Sequence, residues 1–83
     1  MMSKVKYSHY YRPCPYPVID PYRILELFDV TNPSIAHAVK KLLVAGGRGA
    51  KDIDQDIQEV IDTLERWKEM RVEDAAAAKN WLE

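Results

Sequence analysis

Apolar residues recur at helical spacing in three stretches after residue 20, and nowhere do they alternate with the period of two that marks a strand. Asp20-Pro21 is a start signal, a carboxylate at the N-cap followed by proline at the first helical position. Ile24, Leu25, Leu27 and Phe28 then give one apolar side and predict a helix over about 21–30. Asn32-Pro33 repeats the device, which makes 31–33 a tight corner. Ile35, Val39, Leu42 and Leu43, spaced i, i+4, i+7, i+8, predict a second helix over 33–45. Gly46 and Gly47 end it, with glycine free to take the left-handed cap. Asp52 is the expected N-cap of the third helix, with Gln55 three residues on in a variant of the capping box. Ile53, Ile57, Val60, Leu64 and Trp67 follow at 4-3-4-3 spacing, with Ile61 widening the stripe, and predict one packing seam over 53–71.

These elements predict an all-α protein: a three-helix domain over 20–72, built as a helical hairpin plus a short first helix. Residues 1–19 read differently. Rings and prolines alternate through Tyr10-Tyr11-Arg12-Pro13-Cys14-Pro15-Tyr16-Pro17, which excludes a regular helix and predicts an extended arm packed on the domain or on a neighbour. Residues 73–83 are a C-terminal tail or a helix extension, because Ala75–Ala78 favours helix and Trp81-Leu82 could anchor an end.

Size sharpens the picture. A chain of 83 residues buries only about 60–65% of the surface its unfolded form exposes. Its single cysteine, Cys14, can form no internal disulfide, and no Cys/His pairs stand at zinc-ligand spacing. Oligomerisation is the remaining way to staple so small a fold, and helix 3 with the N-terminal arm is the expected homo-oligomer contact. No apolar run approaches the length of a membrane span, so the expectation is a soluble, cytoplasmic protein with no membrane partner.

Charge divides along the chain. Residues 1–51 carry eight Lys/Arg against three acids, a net +5, and residues 52–83 carry four against ten, a net −6. The first part suits an anionic ligand, or the two parts suit each other in neighbouring copies. His37, Lys40 and Lys41 share a face at i, i+3 and i, i+4, and the glycine turn can bring Arg48 and Lys51 back toward them. Four cations with glycine-freed backbone N–H groups suit a phosphate. The same residues serve equally as lysines complementing a helix dipole beside an ordinary connector. Gly47-Arg48-Gly49-Ala50-Lys51-Asp52 is no P-loop, because it follows a helix and lacks the hydroxyl that would hold magnesium.

Two further groups carry potential chemistry. Glu26 with Asp29 and Glu59 with Asp62 each place two acids on one helical face. Such pairs on antiparallel helices can hold Mg²⁺ against a nucleoside triphosphate, although the spacing is common on solvated faces. Tyr10 and Tyr11, beside His9 and Arg12, could stack on a base, and the same rings could instead supply core area. Cys14, between prolines, has no general base beside it in sequence.

His9-Tyr10, Ile19-Asp20, His37-Ala38-Val39-Lys40-Lys41, Ala45-Gly46, Arg48, Asp56-Ile57 and Leu64-Glu65-Arg66 follow one another in an order that resembles the SaV-like family of small bacteriophage proteins, a domain of unknown function. The resemblance covers about residues 8–67. His37 stands where the family pattern has asparagine, Lys41 where it has tyrosine and Val44 where it has arginine, so the roles of those family residues do not transfer. The resemblance implies a phage origin and an infected bacterial host. A larger phage relative is described as a nucleotide kinase, which implies nucleotide handling. By analogy, small oligomeric phage proteins can also sequester the nucleotide signals of bacterial immunity.

The combined expectation is a phosphorylated nucleotide-type ligand bound at an inter-subunit basic site of His37, Lys40, Lys41, Arg48 and Lys51, with no catalytic residue and no resident cofactor. Three short helices spare no pocket of their own, which is why the site is placed between copies. Two alternatives stand beside it: a Mg-dependent nucleotide kinase or hydrolase using Glu26, Asp29, Glu59 and Asp62, and an adaptor that docks a host protein through Trp67 and Trp81. A pI near 6.1 and an acid-rich third helix oppose duplex nucleic acid as a partner.

Overall fold

A computed structural model describes residues 8–47 and 50–82 of the chain. It contains three α-helices, α1 (Pro21–Leu27), α2 (Pro33–Leu43) and α3 (Ala50–Leu82), after a single 3₁₀ turn at Ser8–Tyr10. No strand occurs among the described residues, so the fold is all-α.

Both predicted N-caps are in place. The Asp20 carboxylate accepts from Arg23 N–H at 2.9 Å, and the Asn32 side chain accepts from Ser34 and Ile35 N–H at 3.0 Å each. Helix α1 is shorter than the pattern predicts. It stops because Asp29 takes a left-handed φ of 55°, and Asp29 and Val30 N–H return to the carbonyls of Glu26 and Leu25. A side chain in that conformation is strained where glycine would not be. Asp29→Gly is therefore expected to raise stability by about 0.5 kcal/mol in thermal unfolding.

Helix α3 begins earlier than predicted and, of the two readings of 73–83, takes the helix extension. It starts at Ala50, so Asp52 lies inside the first turn rather than at the cap. Gln55, assigned to a capping box, donates instead to Glu59 Oε2 one turn on, at 3.3 Å. The helix then runs past Arg71 to Leu82, 33 residues in all. At about 1.5 Å per residue it accounts for the 52 Å longest dimension of the molecule.

Helix α2 packs on α3 as an antiparallel hairpin and α1 packs on α2, whereas α1 and α3 share no contact. The arm is tied to α1 by two cation–π contacts, Arg12 over Phe28 at 4.9 Å and Arg23 over Tyr16 at 4.3 Å. Very little is buried. Among the described residues, Ala38 of α2 and Val60 of α3 are the buried apolar ones and Asp56 the buried polar one, and no large side chain is completely enclosed.

The 4-3-4-3 stripe of α3 does not act as one seam. Asp56, Val60, Thr63 and Trp67 turn toward α2, while Ile53, Ile57, Ile61 and Leu64 lie on the neighbouring face and stay about two-fifths exposed.

Candidate functional site

The hairpin corner is set by Gly46, whose φ of 77° lets the chain leave α2 and turn back. A Cβ at this position would lie 3.2 Å from both Cβ and Cδ1 of Ile53, so the corner is also closed too tightly for a side chain. Across it reaches Asp56, one and a half turns into α3. Its carboxylate accepts from Gly46 N–H at 3.4 Å and pairs with Lys41 Nζ at 3.7 Å. Lys41 also donates to Glu59 Oε1. That hydrogen bond is the main reason the Glu59 carboxyl is held below its ordinary pKa.

Beside this corner lies an open cleft of about 450 Å³ lined by His37, Lys40, Lys41, Val44, Gly47 and Asp56. Three of the five sequence-predicted phosphate ligands, His37, Lys40 and Lys41, therefore share one cleft. Arg48 and the Lys51 side chain lie outside the described residues. The cleft forms on a single chain and is large enough for a small molecule, which corrects the expectation that such volume exists only between copies. It is an open surface cleft beside the hairpin corner rather than a cavity within the core.

Electrostatically the cleft is more balanced than the sequence implies. Lys41 sits against Asp56 and Glu59, two carboxylates contributed by α3, so much of its charge is already answered within the protein. Lys40 is placed differently. Its Nζ donates to the Tyr22 hydroxyl at 2.8 Å and lies 4.7 Å from the centre of the Tyr22 ring, and it pairs with no carboxylate among the described residues. Lys40 is thus the described cation at this cleft with a substantially uncompensated charge.

The other predicted groups are not brought to this place. Tyr10 lies tilted against the His9 ring at 4.2 Å, Tyr11 is exposed in the arm, and neither lines the cleft. Glu26 and Asp29 border a surface hollow with Tyr22 and Thr31, whereas Glu59 is engaged with Lys41 and Asp62 accepts from Gln58. The two acid pairs stand on helices that do not touch, and no group of three potential metal ligands gathers among the described residues. Trp67 packs near the start of α2 with Asn32, Pro33 and Met70 around a smaller hollow, and Arg71 lies over its ring at 5.3 Å. The Trp81 side chain falls outside the described residues. No helix described is long and apolar enough to cross a membrane.

Asp56 and Tyr22 are the site residues that sequence reasoning missed. Asp56 falls in register with Val60 and Trp67 on the face of α3 that meets α2, but the apolar stripe alone does not say which part of it turns inward. Tyr22 carries no such local signal, because its partner Lys40 comes from the next helix.

No family model matches the chain, nor does any curated protein or solved structure.

Proposed function

We propose that the protein is a non-enzymatic helical binding protein of the SaV-like kind that takes a phosphorylated, nucleotide-type ligand at the α2–α3 cleft. The observation that carries this reading is the convergence of His37, Lys40 and Lys41 on one cleft of about 450 Å³. Lys40 supplies the unanswered charge, His37 a further donor, and Val44 an apolar patch for a base or ribose. Lys41 holds the wall rather than the ligand. Arg48 and Lys51 follow the corner directly in sequence and add two further cations to this part of the chain. Binding is favoured over turnover because the cleft's carboxylates are both engaged by Lys41 and so are poorly placed to act as a base or to hold magnesium. In a phage-infected cell such a site would withdraw a nucleotide signal from the host.

Thermal unfolding with linear, cyclic and ADP-ribose-type nucleotides, with and without Mg²⁺, tests the reading. Ligand at a hundredfold excess over Kd should stabilise the fold by about 2.7 kcal/mol without metal and without product. Lys40→Ala should cut that gain sharply while leaving the unliganded midpoint nearly unchanged, since the residue is exposed. A shift that requires Mg²⁺ and accompanies product would establish the kinase or hydrolase instead. No shift with any nucleotide would leave the adaptor as the better account.

A further inference from the structure

The hairpin has two unlike sides. Helical phase puts His37 and Lys41 of α2 on the same side as Glu59 of α3, and the Lys41–Glu59 pair fixes that side. The opposite side receives Ile35 and Leu42 from α2 and Ile53, Ile57 and Leu64 from α3. All five are apolar and all are 39% exposed or more. Because α1 leans on α2 without reaching α3, these residues floor and wall a trough that no other described helix covers.

We propose that this trough is the contact between two copies of the chain, related by a two-fold axis, and that the fold depends on it. Area is the first argument. The chain exposes 7132 Å², against about 5,100 Å² expected for a compact monomer of this mass. The surplus of about 2,000 Å², spread over the whole elongated chain and not confined to the trough, leaves room for the roughly 800 Å² that each partner gives up in a standard stable complex. The second argument is the core. With only Ala38, Val60 and Asp56 buried among the described residues, the helices enclose little of the apolar volume that holds a small domain together. A partner that completes a core must be present whenever the chain is made, in equal amount, and a second copy meets that condition. A two-fold arrangement also lets the isoleucine row of one α3 lie in the trough of its partner and receive the same in return.

The ligand cleft lies on the other side of the hairpin, so this inference stands apart from the proposed function and is tested without ligand. In sedimentation equilibrium the full chain should run at twice its 9.6 kDa mass. Its thermal midpoint should rise with protein concentration, as it must when folding and pairing are linked. Ile57→Glu should lose both mass and helical signal together. Ile61→Glu, at the margin of the trough, should shift the concentration dependence at least tenfold while still folding at high concentration. Gln55→Ala, on the polar side, should leave the mass unchanged. A folded species of single-chain mass with a concentration-independent midpoint would overturn the proposal. So would an assembly larger than two copies, or a dimer that Ile57→Glu and Ile61→Glu leave intact.

Discussion

Asp56→Ala is expected to destabilise the fold by about 3 kcal/mol, enough to leave a marginal small domain largely unfolded. The side chain is only 6% exposed, and its carboxylate serves two partners from different parts of the hairpin, the Lys41 ammonium and Gly46 N–H. Removing it leaves an ammonium partly shielded from water and a corner N–H without its acceptor. Asp56→Asn keeps an acceptor for Gly46 and should fall between wild type and alanine. Glu59→Gln, in contrast, should cost clearly less, because that carboxylate is 40% exposed and water can replace what it gives. Glu59 also carries a pH dependence. The Lys41 hydrogen bond lowers the Glu59 pKa, so its contribution is complete above the ordinary carboxylate value and is lost as pH falls through the depressed folded value. Glu59→Gln should therefore flatten the acid limb of the stability curve while Asp56→Ala lowers the curve at neutral pH. Urea unfolding at one fixed protein concentration measures both. Equal losses for the two variants at pH 7 would show that the buried acid has no special place in the corner.

What the sequence made legible follows how local each feature is. Asp20-Pro21 and Asn32-Pro33 act within three residues of themselves, and both caps formed as the pattern predicted. Gly46 is equally local, since its left-handed turn needs only the absence of a Cβ. The length of α3 was readable but underweighted. No glycine or proline follows Gly49, and the alanine run at 75–78 offers no reason to stop. The apolar stripe of α3 was harder, because residues 53–67 satisfy a heptad whichever part of it meets α2. Only tertiary phase separates Val60 and Trp67, turned inward, from Ile53, Ile57 and Leu64, left outside. The basic cluster failed in a related way. His37, Lys40 and Lys41 were correctly placed on one side of α2, but their charge balance depends on which acids α3 presents, and that is a long-range fact. Among three acids in its first two turns, Asp52, Asp54 and Asp56, only Asp56 points into the corner closely enough to be buried.

Gly46→Ala should cost about 2 kcal/mol, and the cost should divide into two separable parts. One is backbone. At φ 77° an alanine takes a left-handed conformation that costs an L-residue about 1–2 kcal/mol. The other is steric. The new methyl would stand 3.2 Å from Ile53 Cβ and Cδ1, and Ile53 is fixed on the first turns of α3 where it cannot retreat without tilting the helix. Ile53→Ala removes Cδ1 and Cγ1 but keeps the Cβ, so it relieves part of the clash and none of the backbone strain. In a double-mutant cycle the pair Gly46→Ala and Ile53→Ala should therefore lose less than the sum of the two single changes, by about 0.5–1 kcal/mol. Gly47→Ala is the useful contrast, because its only close neighbour is the Val44 carbonyl at 3.1 Å and its φ is not in the left-handed region. It should cost less than Gly46→Ala, and it should show no coupling to Ile53. Strict additivity at Gly46 and Ile53 would mean that the turn, rather than the closeness of the two helices, accounts for the whole requirement for glycine. The corner would then be free to open without loss of the hairpin, and the cleft that it shapes around Lys40 and His37 would have no fixed width.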